Sequence, residues 1–407
     1  MPSSALHVAS ALGRVVDAKR CLDEGADVDE KNEQGRSPLY VACREGHVQV
    51  AQLCLDRGAG VDLTAQGGAT PCFISCRHGH ADAARLCIER GANINHEDEK
   101  GRTSLFIACA KNHVDAALLL LDRGAEVDRP SLDDQTPLYV ACQFGHLGAA
   151  RLCLARGANL DFARHDGTTL LSIAVEKGHV EAATLLLDHG SAAVDRANHL
   201  GATPLFVSCR HGHADAATLL LDRGAALDRV GPNGRTSLFI AIEKGHVAAA
   251  SVCLRRGAAV DRPNEVGVAP LWVACHEGHV PAARLCLDNA AVVDRADPEG
   301  VTSLHVACAL GRVDAARLLL SRGADINRRR SGVFGPTPQL IARHNGHAAM
   351  AAWLARTRAV GWTRCLSEPR YKLVVLRELV ARARARRKPS EDFGEEQLSG
   401  FLFPGDK

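Results

Sequence analysis

The sequence predicts an all-α solenoid in which short helix-turn-helix units stack in chain order. Three observations predict it. First, the residue before a recurring His returns at a near-constant interval: Gly13, Gly46, Gly79, Asn112, Gly145, Gly178, Gly212, Gly245, Gly278, Gly311 and Gly346. These marks stand 33 residues apart, with one extra residue before Gly212 and two before Gly346, so eleven copies fill roughly residues 1 to 360. Second, the stretch from Thr136, TPLYVACQFGHLGAARLCLARGA, recurs with edits from Ser37 as SPLYVACREGHVQVAQLCLDRGA and from Thr203 as TPLFVSCRHGHADAATLLLDRGA. Third, apolar residues follow helical spacing on both sides of the mark. A fixed period of this size means a stacked repeat array.

Each element of the unit has a local cause. In TPLYVACQF, Thr136 is the N-cap and Pro137 occupies the first helical position, where its missing N–H leaves no bond unmade. The mark itself must stop one helix and start another, which needs a positive φ, tolerated best by Gly and then by Asn. After it, Leu147, Ala150, Leu152 and Leu154 fall at helical spacing, and Gly157 supplies a second stop. A polar finger follows, such as Ala192 to Ala202, with Gly201 just before the next Thr. Each copy therefore reads helix A, turn, helix B, hairpin finger.

This pattern resembles the ankyrin repeat, whose signature is a TPLH-A-A helix start, a G-H turn and an L-L-L-x-x-G-A second helix. The resemblance covers almost nine tenths of the chain. It implies short helices and fingers lining a concave groove that binds other proteins, and it implies no enzymatic activity in the repeats.

The composition agrees with that reading. The 407 residues are 46% hydrophobic but only 4% aromatic, which suits helices packed closely in pairs, and a net charge of +2 argues against a surface built to cover phosphates. No run approaches the roughly 18 apolar residues of a membrane span. The start, MPSSALHVASALGRVVDAKRC, aligns with a repeat rather than with a secretory leader. Of the 15 cysteines, seven (Cys43, Cys76, Cys109, Cys142, Cys209, Cys275 and Cys308) hold a small-residue slot of helix A. Six more (Cys21, Cys54, Cys87, Cys153, Cys253 and Cys286) hold a Leu slot of helix B. They read as small buried hydrophobes. Equivalent slots of adjacent copies should lie about 10 Å apart, too far for a disulfide. So many free thiols fit a reducing compartment, the cytoplasm or the nucleus.

Along the chain, residues 1–360 form the repeat domain, with 1–27 and 337–360 as its caps. Copy 3 carries Cys72 in a Leu slot and a thin finger, AQGGAT, and should be locally weaker. Copy 6 lacks the helix-start Pro. In copy 9 Ala290 replaces the second stop Gly, so either Asn289 takes the left-handed conformation or the stop is strained. Residues 361–388 (WTRCLSEPRYKLVVLRELVARARARRK with its flank) read as a basic amphipathic helical tail, and 389–407 as a flexible acidic and apolar terminus.

No catalytic constellation stands out. The His column and its Cys neighbours recur in several copies with a turn residue between them, which fits an imidazole bonding backbone across the turn better than a metal set or a nucleophile and base. HEGH at His276–His279 has the wrong spacing for a zinc helix, and Gly278 breaks it. No metal, cofactor or small-molecule substrate is expected.

Three columns bear on binding. Tyr40, Phe73, Phe106, Tyr139, Phe206, Phe239 and Trp272 share one slot, which fits packing between copies or, alternatively, a partly exposed ladder of anchors. Arg129, Arg196, Arg229, Arg262, Arg295 and Arg328 share a finger position, most of them after an Asp that would pair with them and offset the field. The residues just before the mark vary between copies while their surroundings stay fixed, and so face solvent or a partner. The expected partner-binding face, centred on copies 5 to 9, comprises Tyr139, Phe144, Phe162, His165, Lys177, His199, Leu200, Phe206, His211, Phe239, Lys244, Trp272 and His276. The function this supports is a monomeric, non-enzymatic scaffold holding a protein segment in its groove. The alternative is an adaptor that recruits a modifying enzyme such as a ubiquitin ligase through its tail. Nucleic acid or an anionic membrane would enter only through that basic tail.

Overall fold

The computed structural model describes residues 5–190, 193–331 and 335–360; the basic segment 361–388 and the terminus 389–407 lie outside the described residues. The chain divides into two compact units, Met1–Glu265 and Val266–Lys407, each described by itself. Copies 1 to 8 belong to the first and copies 9 to 11 to the second. Among the described residues there are 22 α-helices, one short 3-10 turn and two isolated bridges, with no extended strand.

Copy 5 shows why the unit folds as it does. Helix A runs Pro137–Phe144 and helix B Leu147–Ala155. The Thr136 hydroxyl accepts from the Tyr139 N–H at 3.2 Å, satisfying one orphan donor of the first turn. The cap repeats at Ser37, Thr70, Thr103, Thr203 and Thr236. Copy 6 keeps it without the Pro, through Thr169 and the Ser172 N–H at 3.1 Å. Copy 9 begins on Ala269 and has no side-chain cap. Between the helices Gly145 stands at φ 69° and Asn112 at φ 58°, the left-handed conformation the sequence requires there. Within each unit, helix A packs on helix A and helix B on helix B of the adjacent copies, in chain order.

The His after the mark does not bond across its own turn, as the sequence suggested. Its imidazole reaches back to the preceding copy. Nε2–H of His47, His113, His179, His213 and His246 donates to Ala11, Arg77, Gln143, Glu176 and Arg210 carbonyls at 2.9–3.2 Å. The ring thereby covers the preceding turn: a Cβ on Gly13, Gly46, Gly79, Gly145, Gly178 or Gly212 would lie 2.6 or 2.7 Å from the next His Nδ1. Glycine is needed there for space as well as for φ. Asn112 proves the point by exception. With a side chain on the turn, His146 bonds instead through Nδ1 to the Cys109 carbonyl at 3.1 Å, one residue further back. Opposite it stands Gly148, whose added Cβ would meet Val114 at 2.7 Å and Asn112 at 3.4 Å. In the second unit Arg312 covers Gly278 and His347 covers Gly311.

Two more ladders join copies. Finger carboxylates accept backbone N–H groups 31 residues on: Asp29 from Gly60, Asp62 from Asn93, Asp128 from Asn159, Asp195 from Ala226 and, in the second unit, Asp294 from Asp325. Asp128, Asp195 and Asp294, each beside a finger Arg, are therefore occupied by backbone N–H groups of the next copy. Arg129 turns to Glu97 at 2.6 Å, while Arg196 and Arg229 donate to the Asp161 and Asp195 carbonyls at 2.9 and 3.1 Å. On the helix B ends, Arg57, Arg90, Arg123 and Arg156 pair with Asp23, Asp56, Glu89 and Asp122 of the copy before at 2.7–3.4 Å. These exposed pairs contribute at most about 1 kcal/mol each.

The described cysteines are free thiols, and all but Cys21 are buried. Unlike slots meet where like slots do not: Cys43 and Cys87, Cys109 and Cys153, and Cys209 and Cys253 bring their Sγ atoms to 3.6 Å. That is sulfur contact, beyond a bond of about 2.05 Å. Burial pushes the Cys54 thiol up to about 12, far from the reactive thiolate range. Cys72 of copy 3 is likewise fully buried. Copy 1 leaves Val8, Leu12 and Val16 exposed beside Arg14, Lys19 and Arg20.

In copy 9 the second stop is made by Ala290 at φ 63°, while Asn289 stays at φ −105°. An L-residue with a Cβ costs about 1–2 kcal/mol there, partly offset by the lower chain entropy cost of Ala relative to Gly. Ala290→Gly should therefore raise stability by about 1 kcal/mol, read as a higher urea midpoint of the full chain; a lower midpoint would show the turn to be unstrained.

Candidate functional site

Stacking decides which side chains can face a partner. The aromatic slot is sealed: Tyr139 is 1%, Phe206 3%, Phe239 1% and Trp272 6% exposed. Tyr139, Phe206 and Phe239 follow the capped first turn of their own helix A, and within each unit helix A packs on its neighbours. The column builds the core, and these four rings do not form the exposed ladder of anchors considered from the sequence. Copy 6 has Ser172 in this slot, bonded to Thr169. Phe162, standing in the Arg column, meets Tyr139 edge-on at 6.3 Å from the finger side, and the Arg164 guanidinium lies 5.9 Å over the same ring.

The variable positions are different. Phe144 is 52% exposed at the end of its helix A, tilted against His146 at 5.8 Å. Lys177, His211 and Lys244 are exposed at the same end of their helices. Lys177 pairs with Glu176 at 2.8 Å and Lys244 with Glu243 at 3.8 Å. Copies 6 and 7 converge here. His211 is held below the usual imidazole range, chiefly by partial burial, with Glu176 opposing and Arg210, His213 and Lys177 adding to the effect. It is neutral at pH 7 and offers hydrogen bonds rather than charge.

At the fingertips, His165 and His199 project outward because their backbone N–H groups are tied to the finger before, to the Asp134 carboxylate at 2.6 Å and the Asp166 carbonyl at 3.0 Å. Leu200 is 73% exposed beside His199. Sequence reasoning missed Leu132, 77% exposed and bonded through its N–H to Lys100 at 2.9 Å. The signal was available, since Leu132 lies 33 residues before His165 in the same tip column.

The second unit holds its own site. Trp272 and His276 stack at 5.4 Å and line a cleft of about 960 Å³ along the first helices of copies 9, 10 and 11, with His305, Leu310, Leu340 and Arg343. His276 also contacts Glu277 at 2.9 Å. Among the described residues no three His, Cys, Asp or Glu side chains come together as a metal site, and no helix is long and apolar enough to cross a membrane.

A family model for ankyrin repeats (3 copies) matches residues 50–131, 127–198, 191–264 and 251–330, and one for ankyrin repeats (many copies) matches residues 6–55. The chain belongs to the ankyrin repeat family. No curated protein matches it. Ankyrin repeats are protein-interaction modules and typically non-enzymatic, so the surface to explain is a binding face. Within helix A the capping and core columns are buried, and the edited column just before the turn is exposed in copies 1 to 9.

One buried group makes the second unit sensitive to acid. His305 is fully buried; its Nδ1 accepts from the Thr302 N–H at 3.1 Å, and its Nε2–H donates to the Arg328 carbonyl at 3.0 Å. Burial foremost holds its pKa below the ordinary imidazole value of 6.5. The unfolded chain takes up a proton as pH falls below that value while the folded chain does not, so stability falls with pH, by up to about 1.4 kcal/mol per pH unit for one such group. Between pH 7 and 5 the melting temperature should drop more for the parent than for His305→Gln; an equal drop would assign the acid sensitivity elsewhere.

Proposed function

We propose that the chain is a binding scaffold whose first unit holds a segment of another protein across the exposed helix A ends and fingertips of copies 5 to 8. One observation carries this reading: the residue just before the turn mark is edited from copy to copy and exposed in copies 1 to 9, while the capping and core positions of the same helix A are buried. Phe144, Lys177, His211 and Lys244 stand at one structural position that stacking leaves exposed. The face combines apolar patches at Leu132, Phe144 and Leu200 with the charges of Lys111, Lys177, Arg210 and Lys244. Contacts of this kind are preorganised and spread over several copies, so single substitutions weaken binding modestly and combined ones strongly.

Lysine-directed crosslinking of the full chain in its native cell, read by mass spectrometry, tests this. Crosslinks to a common partner should fall on Lys111, Lys177 and Lys244, and the combined variant Leu132→Asp, Phe144→Asp and Leu200→Asp should lower capture of that partner about ten-fold or more. Crosslinks confined to Lys19 on copy 1, or capture unchanged in the combined variant, would refute the face.

A further inference from the structure

We infer that the cleft in the second unit binds a protein segment in which a bulky apolar side chain stands next to a carboxylate. This rests on the reading above, that exposed helix A and finger positions hold partner segments, and adds the chemistry the partner must carry.

Copy 11, which lines the cleft with Leu340 and Arg343, departs from the repeat at three slots. Gln339 occupies the slot of the core Leu138, Leu340 the aromatic slot of Tyr139, and Arg343 the thiol slot of Cys142. The consequence is visible in one comparison: the aromatic slot is 1% exposed at Tyr139 and 53% exposed at Leu340. A position sealed in the first unit is thus open here. Leu340 joins Trp272, Val301, Val306, Leu310 and Ile341 in the apolar lining of the cleft. On the opposite wall the partly exposed ring of His276 lies nearly parallel to the buried indole of Trp272, 10° apart, so the imidazole backed by the indole gives a flat surface against which an aromatic or aliphatic side chain can lie. A volume of about 960 Å³ accommodates one large side chain with its flanking backbone.

The charge around this apolar space is one-sided. Among the described residues no Asp or Glu lines the cleft, whereas the guanidinium groups of Arg330 and Arg343 do. Of these, Arg330 is offset nearby by Glu299. Arg343 and His344 are exposed on the last turn of helix A, and no carboxylate pairs with them among the described residues. A guanidinium at the edge of an apolar cleft meets a carboxylate with two parallel hydrogen bonds and discriminates against neutral or basic neighbours. The apolar side chain supplies the burial and the adjacent acid supplies the selection.

Selection of a random dodecapeptide library on the full chain, followed by fluorescence anisotropy of the enriched peptides, tests this. Enriched sequences should place an aromatic or large aliphatic residue within two positions of an Asp or Glu. Arg343→Glu and Leu340→Asp should each weaken them about ten-fold or more, Arg343→Lys, which keeps the charge but not the fork, should weaken them less than Arg343→Glu, and Phe144→Asp should change nothing. Because Leu340 and Arg343 are exposed, the variants should keep the parent's melting profile; the Lys variant separates loss of charge from loss of fold. Enriched peptides without acids, no enrichment at all, or binding indifferent to Arg343→Glu would overturn the proposal. Peptides sensitive to Phe144→Asp but not to Arg343→Glu would overturn it while leaving the first unit's face intact, and peptides indifferent to every variant would sink both.

Discussion

A turn that must be left-handed, roofed by the next copy's ring, is the constraint on which the rest of the structure depends. The chain has to reverse between two short helices, and only a residue at positive φ does this at small cost. Left bare, such a turn would satisfy its own geometry and nothing else. With the imidazole of the following copy resting on the glycine and bonded to the helix A carbonyl two residues before it, the turn becomes the place where one copy recognises the next. The site at Asn112 shows how tightly that recognition is set. One side chain on the turn moves the His146 bond to a different ring nitrogen and a different carbonyl, and faces a glycine at position 148.

From this follows the division of labour among the columns. The aromatic slot, the thiol slots and the capping hydroxyls are enclosed once copies are in contact, so their chemistry is spent on cohesion. Finger carboxylates are occupied by backbone N–H groups of the next finger, and the Arg residues at helix B ends by acids of the copy before. What remains unspent is the helix A end and the fingertip. These positions carry Phe144, His211 and Leu200 in the first unit and Arg343 in the second, and they are the positions proposed above to meet a partner.

Much of this was legible in the sequence, because whatever depends on a single copy is written in the period. The capping Thr136, the turn residue Asn112 and the second stops could be read directly, and the two outcomes foreseen for Ala290 included the strained one that occurs. What could not be read depends on how copies superpose. Nothing in the spacing says that His179 looks 36 residues back to Gln143 rather than across its own turn, or that Asp128 serves Asn159 rather than Arg129. Comparing like slots placed the thiols about 10 Å apart, whereas Cys109 touches Cys153, an unlike slot 44 residues on. The aromatic ladder failed as a set of anchors for the same reason: a column of large rings looks alike whether the next copy covers it or leaves it open, and only Leu340 shows the open case. The tip residue Leu132 could have been found by aligning the fingers as strictly as the helices.

The coupling between turn and ring is open to direct measurement by a double-mutant cycle on the full chain, using urea unfolding. Gly145→Ala should destabilise by more than the roughly 1–2 kcal/mol of the left-handed conformation alone, since its Cβ would also strike the His179 ring. In the His179→Ala background, where the ring is gone, the same substitution should cost only the conformational part, leaving an interaction energy of about 1 kcal/mol or more. Strict additivity of the two substitutions would mean that the ring does not roof the turn, and would contradict the account at its base.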